Sequence, residues 1–599
     1  LDKRAKIELS WAFAGLALAW SLVACSSGGG GGGGSDSYAS KSLATSYSTS
    51  GSDGWTGAGS AYCRVYDPSE NTDLSYTLSG LPSSGATYLV LTNASQSSSY
   101  SLYSASAAKG LASNLSRSSA RSSGEGLVRD NPTATAFNHS PWTKVSRRVS
   151  RTGLLTSGAA ASRSANTVGD TSVSFYTYTT DASGNDTLSL VPATCEKIVE
   201  NTHLGVTLNV YVQTSALSRS NKVTTGMVDE IANRFIGAST PGSGSYTIDS
   251  SSCILQWDQD LFGEYYPESL SGDAYFIDDD RNITIFLADL NSNYSATSYV
   301  LGYFYGLNDY RKTVGGAGNS NQRLMFFLDA HLLAGGGYTD ELYTTLAHEL
   351  QHMIHFSSKV VSHGGSGDET WLDEACSVVA EDYVSPLLQV AGPRGVAYTD
   401  GSAGSSGNSG GGRLPYFVWW PEKSLTTWNS NLYDYGSSYA FAAWLGRNAS
   451  PAFFYDLVQG SSTGFSSVES ALGGTSAFVG TDVSSPGPIL RAWALACLGS
   501  SSTSTNQPFR YNTSESSGWY SGAAHGGVSY KLGSIDLANY TWAADSGSGL
   551  YTYSTANGLT AAPASNTYVL LQGNSASSPS LSGTVRLHEG VSAMFVVVP

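Results

Sequence analysis

The stretch Thr345-Leu346-Ala347-His348-Glu349-Leu350-Gln351-His352-Met353-Ile354-His355-Phe356 restricts most strongly what this chain can fold into. Apolar Leu342, Leu346, Leu350, Met353 and Ile354 recur at helical spacing, so the H-E-x-x-H pattern lies on an amphipathic helix. At about 100° per residue, His348 and His352 fall within about 40° of each other, opposite the apolar set. One face is expected to pack and the other to bind. Two imidazoles one turn apart can hold one Zn2+ ion, and Glu349, about 100° round from His348, can reach a water on that ion.

A catalytic zinc usually takes three protein ligands and keeps one position for water. The third is expected from a second helix. Ser366-Gly367-Asp368-Glu369 reads as a capping box, and Trp371-Leu372-Asp373-Glu374-Ala375-Cys376-Ser377-Val378-Val379-Ala380-Glu381-Asp382-Tyr383 continues with helical apolar spacing. Glu374 is the expected ligand. His355 shares the zinc face of the first helix, but it is about 10 Å along the axis from His348, too far for one ion to engage both. His363 lies in a Gly-rich loop that could fold back. Cys376, about 200° round from Glu374, is expected in the core.

These two segments, TLAHELQHMI and WLDEACSVVAED, resemble the gluzincin metallopeptidases, and within them the hyicolysin family of secreted bacterial endopeptidases. The likeness runs from about Val168 to Leu498 and takes in Gly302-Tyr303-Phe304-Tyr305, Met325-Phe326-Phe327-Leu328-Asp329 and Tyr435-Gly436-Ser437-Ser438-Tyr439-Ala440-Phe441. It implies an α+β core, with a mixed-sheet lobe and a helical lobe, in which a Glu on the following helix, here Glu374, is the third zinc ligand. It also implies a Tyr on a downstream helix as a donor to the oxyanion, Tyr435 first and Tyr439 second. The metzincin pattern would need Gly and His where this chain has His355 and Ser358. No G-x-M-E-N-like segment supplies the acidic site of an aminopeptidase.

The 599 residues suffice for several domains, and a net charge of -16 argues against nucleic acid as a partner. Lys3, Arg4 and Lys6 precede an apolar run from Trp11 to Ala24, which fits a signal peptide over 1–25. Leu22-Val23-Ala24-Cys25 resembles a lipoprotein box, which implies lipidation of Cys25 and anchoring to a bacterial envelope membrane, at the outer membrane or cell surface. Residues 26–52, with Gly28 to Gly34 unbroken, read as a flexible tether.

Alternating runs suggest a β-sandwich-like domain at 53–104 and another at 501–599, flanking a catalytic domain at 167–500; Tyr568 to Ser575 echoes Tyr88 to Ser95. Residues 105–166 read as a disordered basic insertion. Besides Cys25 there are five cysteines, and an exported chain would pair Cys195 with Cys253. These features together lead to a lipid-anchored zinc endopeptidase of extracellular protein or peptide substrates. The rival is a surface binding protein or adhesin on a metallopeptidase scaffold, which loss of Glu349 or of a ligand would favour.

Overall fold

Alternating apolar runs between residues 170 and 329 pair into one six-stranded mixed sheet. Its strands are β1 (Val173–Thr180), β2 (Asp186–Asn201), β3 (Val206–Gln213), β4 (Asn282–Ala288), β5 (Gly302–Phe304) and β6 (Leu324–Asp329), in the order β5-β6-β4-β3-β2-β1. The central strands β3, β4 and β6 run parallel and are buried on both faces, which explains their near-continuous Val, Ile, Leu and Phe. The outer pairs β1/β2, β2/β3 and β5/β6 are antiparallel. A bulge at Cys195/Lys197 bends β2. The sheet curls, so that backbone N–H groups of β1 donate to the Asn321 side chain and to the Tyr303 hydroxyl.

This computed structural model describes residues 38–47, 62–103, 131–141 and 166–598. It leaves out positions 84, 238–247, 268–269, 271, 279, 295–298, 402–411, 476–477, 479–481, 501–508, 513–517, 544, 554–558 and 574–578. The expected signal peptide, the lipidation residue Cys25 and the Gly28 to Gly34 run lie outside the described residues. Among those described, no helix is long and apolar enough to cross a membrane.

Helices cover the sheet and build the second lobe. In chain order they include α1 (Pro132–His139), α2 (Thr225–Ile236), α3 (Ile254–Phe262), α4 (Thr339–Phe356), α5 (Thr370–Leu388) and α6 (Leu432–Asn448), followed by Ala452–Gln459, Gly464–Gly473 and Pro486–Leu498. The crossover from β3 to its parallel neighbour β4 is made by α2 and α3. Edge strand β5 presses on α4: a Cβ on Gly302 would lie 2.8 Å from both the Phe327 carbonyl oxygen and Thr345 Cγ2. No larger residue fits there.

Three expectations are corrected. The two outer β regions are not separate modules. Tyr62–Tyr66, Ala86–Asn93, Ser565–Gly573 and Val591–Val598 pair in one four-stranded sheet, while Ala39–Ser46, Thr72–Ser79 and Ser580–Leu587 form a three-stranded one. Leu74, Leu89, Leu91, Val585 and Phe595 fill the space between them. The echo of Tyr88 in Tyr568 is that of two neighbouring antiparallel strands, with Tyr568 opposite Val90. Val90, Met594 and Val596, on the other face, pack against Ala494 and Leu495 of the last helix.

The expected tether at 26–52 is interrupted, because Ala39–Ser46 is a strand lying parallel to Thr72–Ser79; positions 26–37 and 48–52 lie outside the described residues. Within the basic insertion, Asn131 caps α1 by accepting from the Ala134 N–H at 2.9 Å, and Pro132 occupies the first turn. That helix is tied down at both ends. Asn131 Nδ2 donates to Asp186 at 3.0 Å, and Asn138 donates to the Phe304 carbonyl at 2.9 Å and accepts from Gly306 N–H at 2.8 Å.

Candidate active site

Helix α4 carries the H-E-x-x-H residues. Leu342, Leu346, Leu350, Met353 and Ile354 are fully buried against the sheet, and Asp340 and Glu341 occupy its positively polarised first turn. The opposite face is covered too, by α5 and α1, so His348, Glu349, Gln351, His352 and His355 are all buried. Helix α5 is anchored by buried Trp371, Leu372, Ala375 and Val379. Its N-cap is Glu369, which makes no side-chain capping bond, so the expected capping box does not form. Asp368 instead accepts from Glu369 N–H at 2.8 Å and Gly464 N–H at 2.7 Å.

The two helices bring His348, His352 and Glu374 together, with one ligand atom from each lying within 4.8 Å of the others. Glu374 Oε2 is 3.4 Å from His348 Nε2 and 3.8 Å from His352 Nε2. A tetrahedral zinc with bonds of about 2.1 Å separates its ligand atoms by about 3.4 Å, so this donor set fits that ion closely. The other nitrogen of each ring is engaged from behind. His348 Nδ1 donates to Glu381 Oε1 at 2.7 Å, and His352 Nδ1 lies 3.0 Å from Asp373 Oδ2 and 3.1 Å from Ser377 Oγ. A carboxylate on Nδ1 fixes the tautomer in which Nε2 offers its lone pair forward. Burial alone would lower the His348 pKa, but the Glu374 and Glu381 carboxylates outweigh it and raise it well above the ordinary value. A site so rich in carboxylate suits a dication.

Asp373 has a larger part than its place on the helix suggests. Although about 100° of helix rotation separates it from Glu374, it meets His352, and it lies 2.9 Å from His355 Nδ1 and 3.6 Å from His139 Nε2. Burial would raise its carboxyl, but His352 and His355 hold it well below the usual range. His355 Nε2 faces Asp368 Oδ2 at 3.0 Å, which explains why this histidine lies on the same helix face without joining the ligands. His139 Nδ1 donates to the Asp368 carbonyl at 2.9 Å. This residue of the basic insertion escaped sequence reading, although Asn131-Pro132 is a helix-start signal that could have led to it. Replacement of Asp373 by Asn, or of Glu381 by Gln, is expected to lower zinc affinity or activity about 10- to 100-fold, measured by metal competition and turnover.

Beyond His355 the chain makes one wide turn, Ser357–Ser362, which buries Lys359. Its Nζ donates to the carbonyls of Leu457 at 2.7 Å, Gly460 at 2.7 Å and Ser462 at 2.8 Å, and thereby ties α4 to the helical lobe. Lys359→Met would leave three acceptors without this donor. It is expected to cost on the order of 3 kcal/mol in denaturant unfolding, with His348, His352 and Glu374 left in place. His363, the loop candidate, donates to the Gln459 carbonyl at 2.9 Å and stands apart from the ligands. Cys376 is buried and is not among the ligand atoms that converge. The five described cysteines are all free, so Cys195 and Cys253 do not form the expected pair.

A cleft partly open to solvent lies over these residues and is lined by His348, Glu349, Glu381, Gly302, Arg413 and Tyr435, among others. Tyr435 of α6 is thus in the cavity wall, whereas Tyr439, one turn on, is fully buried and does not line it. A capping box formed by Asn431 and Asp434 starts α6. Gly436 lets the helix approach the 413–417 backbone: a Cβ there would lie 2.9 Å from Phe417 N and 3.0 Å from the Arg413 carbonyl oxygen.

A family model described as Peptidase M30 matches residues 189–522. The neutral metalloprotease ShpI of Staphylococcus hyicus is 29% identical over 116 residues, a match that spans 18% of this chain and 25% of that protein. Among solved structures, an M1 zinc metallopeptidase from Deinococcus radiodurans aligns over 74% of this chain and 70% of its own, at 12% identity and a TM-score of 0.25. A superposition that loose carries no argument.

Proposed function

Because the chain belongs to the Peptidase M30 family of metallopeptidases, we propose that it is a zinc-dependent endopeptidase whose single ion is held by His348, His352 and Glu374. The observation that carries this reading is the convergence of those three donors, with both imidazoles backed by carboxylates. A bound zinc would supply Lewis acidity, making a water acidic enough to lose a proton near pH 7 and polarising the scissile carbonyl.

The chain's own residues do the rest. Glu349, in the cavity wall beside His348, takes the proton of the attacking water and passes it to the leaving nitrogen. Tyr435 directs its hydroxyl to the oxyanion that develops on the carbonyl oxygen. Edge strand β5 ends the sheet next to α4; its Phe304 carbonyl already accepts from Asn138, so an extended peptide would pair at the Gly302 end, which lines the cavity. Glu381 and Asp373 hold the histidine rings in place throughout.

The substrates are proteins or peptides outside the cell, and Cys25, when lipidated, anchors the enzyme to the bacterial envelope. Loss of Glu349 or of a ligand would have favoured the adhesin reading, and all four residues are present. Metal analysis together with cleavage of an unfolded protein is the test. One zinc per chain is expected, with cleavage stopped by a chelator and restored by zinc. Cleavage that survives complete zinc removal, or a chain that takes up no zinc, would overturn the proposal.

A further inference from the structure

One cation in the cavity is not used by the chemistry just described. Arg413 is only 5% exposed, lines the cavity beside His348 and Glu349, and lies with its guanidinium carbon 5.6 Å from the centre of the Tyr435 ring. Among the described residues, its Nε and Nη1 are buried without a hydrogen-bond partner. Neighbouring buried cations are all engaged. Arg447 donates to Asp382 and the Gly533 carbonyl, Lys359 to its three carbonyls, and Lys423 pairs with Asp434. Glu341 lines the same cavity, near enough for the Arg413 charge to favour its ionised form, yet Nε and Nη1 of Arg413 still lack a hydrogen-bond partner. A buried guanidinium with open donors is costly unless something arrives to take them.

We propose that Arg413 is a specificity residue that receives a substrate carboxylate, so that the enzyme cleaves next to an acidic side chain or close to a free C-terminus. This inference rests on the peptidase reading. The planar fork of guanidinium N–H groups matches a carboxylate, and its place over the Tyr435 ring sets it beside the reacting carbonyl. A neutral amide in the same position would leave part of the fork unsatisfied, so the site discriminates between acid and amide.

Two pairs of peptides test this and separate the two sources of carboxylate. The first carries Glu or Gln beside the scissile bond; the second, lacking internal acids, ends in a free acid or an amide. Wild-type enzyme is expected to prefer the acid in one pair by about 10- to 100-fold in kcat/KM, and that pair identifies the source. In Arg413→Gln the ratio should fall to about one, while Arg413→Lys, which keeps a point charge without the fork, should retain part of it. Zinc content and thermal unfolding of both variants check that the site is intact. The proposal fails if wild-type enzyme makes no distinction in either pair, or if the preference survives in Arg413→Gln. Absence of any zinc-dependent cleavage of the four peptides by wild-type enzyme would remove the peptidase reading as well, whereas loss of selectivity alone would remove only this one.

Discussion

Glu349→Gln is expected to bind a full equivalent of zinc and to lose about 10²- to 10⁴-fold in kcat. The carboxylate lines the cavity but is not one of the three converging ligand atoms, so an amide of the same shape leaves the metal site standing. It cannot accept a proton. Substrate contacts made elsewhere in the cleft remain, so KM should move little by comparison. Turnover near that of the wild type in a zinc-loaded Glu349→Gln enzyme would rule out its role as general base.

The second large effect falls on the metal itself. Glu374→Ala removes the one charged ligand from a site where it faces both imidazole Nε2 atoms, and is expected to weaken zinc binding by more than the 10- to 100-fold set for Asp373 and Glu381. His348→Ala and His352→Ala should behave alike, because each removes a nitrogen that no nearby group replaces. His355→Ala is different in kind. It should keep zinc stoichiometry near the wild-type value, and its cost appears as lowered stability because Asp368 and Asp373 lose the ring between them. Full zinc occupancy of Glu374→Ala, or an empty site in His355→Ala alone, would overturn the ligand assignment.

The ligand helices were readable because their information is local. Helical spacing alone placed His348 and His352 on one face of α4 and the apolar residues on the other. Rotation about a helix axis also separated Asp373 from Glu374. It could not reveal what the neighbouring helix presents to Asp373, and so the contacts with His352, His355 and His139 were missed. Burial of the polar face of α4 was hidden for the same reason: a polar residue that meets a partner in the core looks, in one sequence, like a polar residue that meets water.

Partners distant along the chain were harder still. Strands near residue 90 and residue 570 each show alternation, which is consistent with two small sandwiches. Their pairing in one sheet depends on the intervening domain, whose last helix supplies Ala494 and Leu495 under it. In the 105–166 stretch the basic, Ser-rich composition obscured α1, although its eight residues carry an Asn cap and a Pro start. Lys359 is another such case, since a lone lysine usually stays solvated unless carbonyls are arranged to receive it.

Anomalous diffraction at the zinc edge, from crystals of the zinc-loaded protein, addresses the central claim most directly. The account predicts one strong peak in the described region, within about 2.0–2.2 Å of His348 Nε2, His352 Nε2 and a Glu374 carboxylate oxygen, and facing the cavity that Glu349 lines. A peak lodged instead between His355, Asp368 and Asp373, or no ordered zinc near α4 at all, would contradict it.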